Sequence, residues 1–96
     1  MAVTLCVSLW AAPGNEGLLV EYEDQVLALL RAHNGRLLQR VRTVDGDADD
    51  PFEVHVIEFA DQASFDAYMT DPRRVALAEL RDRAIAQTQV LRVEVV

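Results

Sequence analysis

Two ionisable residues in one strand-like run, Phe52-Glu53-Val54-His55-Val56-Ile57-Glu58-Phe59, have the chemistry of a base: His55 and Glu58. An imidazole that titrates near neutrality, or a carboxyl lifted by burial, can take a proton from an activated carbon, the step a cofactor-free oxygenase or isomerase requires. The two-residue period of a strand sends His55, Ile57 and Phe59 to one face and Val54, Val56 and Glu58 to the other. Without a bulge the pair is therefore not a dyad, and the plainer expectation for His55 is a hydrogen-bonded core or interface histidine.

Aromatic side chains supply the other half of a binding site, and Trp10, Tyr22 and Tyr68 are the candidates to line a cleft with His55. Trp10 offers a stacking surface, although an aromatic in that position more commonly closes a subunit contact. Alternation in Arg36-Leu37-Leu38-Gln39-Arg40-Val41-Arg42 puts Arg36, Arg40 and Arg42 on one side with Leu38, and Leu37 and Val41 on the other. Three guanidinium forks suit a carboxylate, but protection of an edge strand or ion pairing between subunits accounts for them equally well.

Other reactive types carry plainer readings. Asp45-Gly46-Asp47-Ala48-Asp49-Asp50 begins like a calcium loop, then places Asp50 where the turn glycine belongs and Val56 where a bidentate Glu belongs, so a solvated hairpin loop is expected and no metal. His33 lies where it complements a helix C-terminus. Cys6 is the only cysteine, which excludes an internal disulfide and makes a small apolar strand residue the expectation. The chain has no phosphate-binding glycine loop, no His-x-x-x-His pair and no nucleophile elbow.

These residues need elements to hold them. Val3, Leu5, Val7 and Leu9 alternate with Thr4, Cys6, Ser8 and Trp10, predicting a strand whose apolar set meets helices and whose mixed set lines an open face. Asn15 is a credible N-cap for a helix carrying Leu19, Tyr22, Val26, Leu29 and Leu30 on one stripe and ending at His33-Asn34-Gly35. Asp61 and Pro72 predict a broken second helical layer with Phe65, Tyr68, Leu77, Leu80 and Ala84 inward. Val90–Val96 reads as the last strand. The order is α+β: a ferredoxin-like βαββαβ fold, a four-stranded antiparallel sheet with helices on one face.

At 96 residues and 51% hydrophobic content, one globular domain spanning residues 1–96 is expected, and its size favours pairing into a homodimer to bury more apolar area. A net charge of −7 opposes nucleic acid and anionic membranes. No secretory or spanning segment is evident, so the expectation is a cytoplasmic protein.

Several strings carry a family resemblance: His33-Asn34-Gly35-Arg36-Leu37-Leu38, Val56-Ile57-Glu58-Phe59, and Phe65-Asp66-Ala67-Tyr68 followed by Asp71-Pro72-Arg73. Together they resemble the DUF1330-like group of the dimeric α/β-barrel superfamily, whose His-Gly-Gly-Arg-type turn and Ile-Glu-Phe-Pro-type strand end correspond here to Asn34 in place of the first Gly and Ala60 in place of the Pro. The resemblance implies a homodimer that packs two open sheet faces into a barrel. The superfamily includes cofactor-independent monooxygenases, haem-degrading enzymes, lactone isomerases and stress-responsive proteins, so it implies no one activity, and no haem-degrading or isomerase residue set carries over. The leading expectation is a homodimer binding a small apolar or anionic molecule between sheet and helices, without a cofactor. The alternatives are a cofactor-independent monooxygenase or isomerase using His55 or Glu58, and a non-catalytic stress-associated or interaction dimer.

Overall fold

A computed structural model describes residues 1–96. Strand β1 (Val3–Ala11) leads to helix α1 (Glu16–Leu27), a 3-10 turn (Leu30–His33) and strand β2 (Gly35–Arg42). Strand β3 (Glu53–Phe59) leads to helices α2 (Gln62–Met69), α3 (Pro72–Val75) and α4 (Ala78–Ala84), then strand β4 (Ile85–Arg92). All three pairings are antiparallel and the order across the sheet is β2-β3-β1-β4. This is the ferredoxin-like arrangement expected from the element order, with the two halves interleaved so that β1 and β3 occupy the centre.

Period two operates along β1 and β3 as anticipated. Val3, Leu5 and Leu9 are buried beneath the helices opposite Glu53, Ile57 and Phe59, whereas Thr4, Cys6, Ser8, Val54, Val56 and Glu58 remain only partly covered on the open face. Two apolar clusters form on the helix side. One joins Val3, Leu5, Leu30, Ile57, Phe59 and Tyr68; the other joins Leu9, Leu19, Tyr22, Val26, Ala84 and Ile85.

Strand β2 departs from simple alternation, because its register with β3 shifts between Leu37 and Gln39. An extra residue in one strand reverses the facing of everything beyond it. Arg36 therefore pairs with Glu58 on the open face, while Arg40 opposite His55 and Arg42 opposite Glu53 turn to the helix side. The expected three-arginine face is split.

Helix boundaries also differ from expectation. Helix α1 stops at Leu27, and the chain reaches Asn34 through the 3-10 turn, with Asn34 at φ +54° as the left-handed residue. Gly35 is required by space: an added Cβ would lie 2.8 Å from Phe59 Cε1 and 3.1 Å from the Leu30 carbonyl oxygen. Asn15 does not cap α1; its Nδ2 donates to the Arg83 carbonyl at 2.8 Å, tying the start of α1 to the end of α4. His33 bonds Asp71 at 2.7 Å rather than a helix-end carbonyl.

Asp61 caps α2 by accepting from Ser64 N at 2.8 Å, and Asp71 with Pro72 opens α3, so the helical layer breaks where the sequence indicated. The last strand begins at Ile85 and ends at Arg92, earlier than the apolar alternation suggested, because its ladder is set by β1 from Leu5 to Ala11. The 43–51 loop is exposed except at Pro51, and Asp47 and Asp50 use carboxylate oxygens to accept its own backbone N–H groups. No helix is long and apolar enough to cross a membrane.

Candidate functional site

A cavity of about 310 Å³ lies between the sheet and the helices and takes its walls from both apolar clusters, including Leu5, Ile57 and Phe59 from the first and Leu9, Val26 and Ile85 from the second. His55 reaches it from the middle of β3, Tyr22 and Glu23 from α1, Tyr68 from α2 and Arg74 from α3. Three of the sequence candidates, His55, Tyr22 and Tyr68, thus converge here.

His55 is fully buried, and so is Glu53 two residues earlier on the same face. Its Nε2 lies 2.7 Å from Glu53 Oε1. An ionised carboxylate can only accept, which assigns the proton to Nε2 and leaves the lone pair on Nδ1. That Nδ1 has no hydrogen-bond partner, and Glu23 Oε1 lies 3.5 Å from it. Buried acceptors are rarely left unpaired, so this nitrogen calls for a physical explanation.

Behind the histidine, Glu53 is clamped from β2. Arg40 Nε donates at 2.8 Å and Arg42 Nε at 3.0 Å, each guanidinium adding a second bond, while Arg40 also reaches Asp24 at 2.7 Å. The split of the arginines at the β2 bulge is what brings these two forks to one carboxylate. Burial alone would raise the Glu53 pKa, but hydrogen bonds from Arg40, His55 and Arg42 outweigh it and hold the carboxyl down at about 2. Burial lowers the pKa of His55, with the Glu53 hydrogen bond acting against it, so the neutral imidazole is favoured.

Glu23 answers to the opposite balance. Burial, reinforced by the negative charge of Glu53, pushes its carboxyl up to about 7 in spite of Arg74, Arg40 and Arg81. A chain of groups therefore runs from a carboxylate ionised at neutral pH through a neutral imidazole to a carboxyl that exchanges its proton near neutrality. Perturbed groups gathered at a cavity make it a candidate functional site. Such a chain can hold and hand on one proton. Tyr22 and Tyr68 are both raised by burial, Tyr68 to about 12, and the Tyr68 hydroxyl donates to the Val26 carbonyl at 3.1 Å. They serve as wall and hydrogen-bonding groups rather than as acids.

The remaining candidates lie elsewhere. Glu58 faces the open side and bonds Arg36 Nε at 3.0 Å. Trp10 also belongs to the open face, where its Nε1 donates to the Asp49 carbonyl at 3.2 Å at the edge of a separate surface cleft. Neither meets His55. Sequence reasoning did not single out the charged residues Glu23, Arg74 and Arg81, which line the cavity, or Glu53, which lies behind His55. Glu53 was signalled by the i, i+2 step to His55; helical spacing sets Glu23 apart from the apolar stripe of α1, yet it is buried, and Arg74 had no local pattern, because the facing of a helix depends on tertiary packing. No three His, Cys, Asp or Glu side chains are grouped to hold a metal ion.

Comparison with known proteins agrees with the architecture. Residues 14–96 match the family model described as a domain of unknown function, DUF1330. No curated protein matches the chain. Among solved structures, a Pseudomonas aeruginosa protein superposes with TM-score 0.76 at 17% identity, covering 99% of this chain and 94% of that one. A DABB family protein with a ferredoxin-like fold from Mesorhizobium loti gives 0.70 at 17% identity, covering 99% and 97%. A NIPSNAP domain protein from Burkholderia xenovorans gives 0.75 at 14% identity, covering 100% and 95%. At these identities the likeness is one of fold.

Proposed function

This chain belongs to the DUF1330 family, a domain of unknown function, and we propose from its own geometry that it is a homodimer whose protomers each bind a small apolar or anionic molecule between sheet and helices. The observation that carries the reading is the cavity of about 310 Å³, apolar over most of its wall yet holding a buried, unpartnered His55 Nδ1. Pockets that bind small molecules combine these features, and this volume falls at the lower end of their usual range. Most purely structural histidines have both buried ring nitrogens satisfied.

Support for the dimer comes from the other side of the sheet. Val41 and Leu91 on the open face are 47% and 50% exposed, beside the half-covered Cys6, Trp10, Val54 and Val56. Such an apolar stretch is suited to a matching face on a second copy. Light scattering at micromolar concentration is expected to give the mass of two chains, and Val56→Glu to give one; a monomeric wild-type protein contradicts the dimer.

Binding is tested by titrating isotope-labelled protein with a fragment library. At least one small, mainly apolar fragment should shift the resonances of Tyr22, His55 and Tyr68 together, while leaving those of Trp10 and Glu58 in place. A library that shifts none of the cavity resonances contradicts the binding reading.

The Glu53–His55 contact favours a second reading, proton abstraction from a carbon acid as in a cofactor-independent monooxygenase or isomerase. Here Glu53 would fix the tautomer and His55, with Glu23, would carry the proton. For an identified substrate, His55→Ala should abolish turnover with the dimer intact; unchanged turnover excludes His55 as the base.

A further inference from the structure

The nine arginines of this acidic chain fall into three groups. Arg36, Arg40, Arg42 and Arg73 are ion-paired with carboxylates. Arg31, Arg83 and Arg92 are exposed, and water serves them. Arg74 and Arg81 fit neither description: both are partly buried, both line the cavity, and neither has a carboxylate within ion-pairing distance. Arg74 Nε is one of only two buried side-chain polar atoms without a hydrogen-bond partner, the other being His55 Nδ1 in the same cavity. The guanidinium carbon of Arg74 lies 5.2 Å from the centre of the Tyr68 ring, so an aromatic face supports it where an anion does not. Arg81 makes one long contact, Nη2 to Thr88 Oγ1 at 3.5 Å, and otherwise has the Tyr22 hydroxyl as its polar neighbour.

Resting on the small-molecule reading above, we propose that the cavity selects an apolar monocarboxylate, with Arg74 and Arg81 receiving the carboxylate and the apolar body lying against the wall formed by Tyr68, Phe59 and Ile57. A buried donor without an acceptor is costly, and a guanidinium fork matches a carboxylate in geometry as well as charge. The cavity volume of about 310 Å³ sets the size. At about 30 Å³ for each water-sized group it admits about ten non-hydrogen atoms, the size of phenylacetate.

The neighbouring carboxyl makes the selection dependent on pH. Glu23 is faced by Tyr22 on its own helix, by His55 and Glu53 on β3, by Arg40 on β2, by Arg74 on α3 and by Arg81 on α4. When protonated it tolerates a second carboxylate beside it; when ionised it competes for the same two guanidinium groups. Carboxylate affinity should therefore fall as the pH rises through about 7, and a carboxylate bound above that pH should bring a proton with it.

The experiment compares phenylacetate with phenylacetamide, which has the same size but no charge, by calorimetry and by resonance shifts on the 96-residue chain. The expected result is that phenylacetate binds the wild-type protein about 10- to 100-fold more tightly than the amide, the range of a charge-assisted hydrogen bond. Arg74→Gln should remove that preference, bringing the two probes to within a few-fold of each other. Arg81→Gln gives a second reading of the same preference should the first variant fold poorly. The carboxylate affinity, but not the amide affinity, should decline above pH 7 and lose that decline in Glu23→Gln. Equal binding of the two probes to the wild-type protein overturns the carboxylate inference while keeping the cavity; binding of neither, with no shift at Tyr22, His55 or Tyr68, overturns the cavity reading and this inference with it.

Discussion

Glu53→Gln removes one negative charge from a fully buried position at almost constant volume. The carboxylate accepts from Arg40, Arg42 and His55, and a carboxamide, which offers one acceptor oxygen and two donor hydrogens, cannot serve all three. Breaking a buried ion pair by removing one partner costs about 3–5 kcal/mol. The side chains of Arg40 and Arg42 are 23% and 49% exposed and can partly rehydrate, which places the expected loss at the lower end, about 3 kcal/mol. Titration leads to a similar figure independently: a carboxyl held at about 2 in the folded chain, against an ordinary 4.5, contributes about 3 kcal/mol to stability at neutral pH.

The sign follows from the direction of that shift. Because the folded-state pKa is depressed, the contribution is complete above the unfolded value of 4.5 and disappears as the pH falls toward 2. Urea denaturation of wild type and variant across the acid range should show a difference of about 3 kcal/mol at neutral pH that closes steadily below pH 4.5. A loss below about 1 kcal/mol, the size expected of an ordinary exposed pair, would refute the buried clamp. A difference that does not vary with pH would refute its electrostatic origin.

Glu23→Gln should behave in the opposite sense. Its folded-state pKa is raised to about 7, so the wild-type chain loses stability as pH rises from 4.5 through 7, and the variant should be the more stable by up to about 3 kcal/mol in alkaline urea titrations; a variant that is less stable there contradicts the desolvation argument. Gly35→Ala should cost about 1–3 kcal/mol in the same assay, since the new methyl group meets the Phe59 ring at 2.8 Å and the Leu30 carbonyl at 3.1 Å and only the ring has any room to yield; an unchanged midpoint would show that the ring moves freely.

Much of this fold was legible because strands with one buried face announce themselves by alternation. Val3, Leu5 and Leu9 fall to the helix side with Ile57 and Phe59, and His55 and Glu58 part to opposite faces, as period two requires. A short cap such as Asp61 was legible for a related reason, since its side chain acts on backbone three residues away. Of the candidate site, His55, Tyr22 and Tyr68 were readable as residue types, but their meeting was not.

Local chemistry in the chain determined which residues alternate, where helices begin and which groups can carry charge or protons. What only the tertiary structure decided is which of them share a space. A one-residue shift in β2 turned Arg40 and Arg42 toward Glu53 and left Arg36 with Glu58, a choice made by pairing across strands and invisible within either strand alone. Burial then set the charges: the same residue type is held at about 2 at position 53, where guanidinium groups surround it, and at about 7 at position 23, where desolvation prevails. Residue type supplies an ionisable group, and the packing around it decides whether that group stays charged.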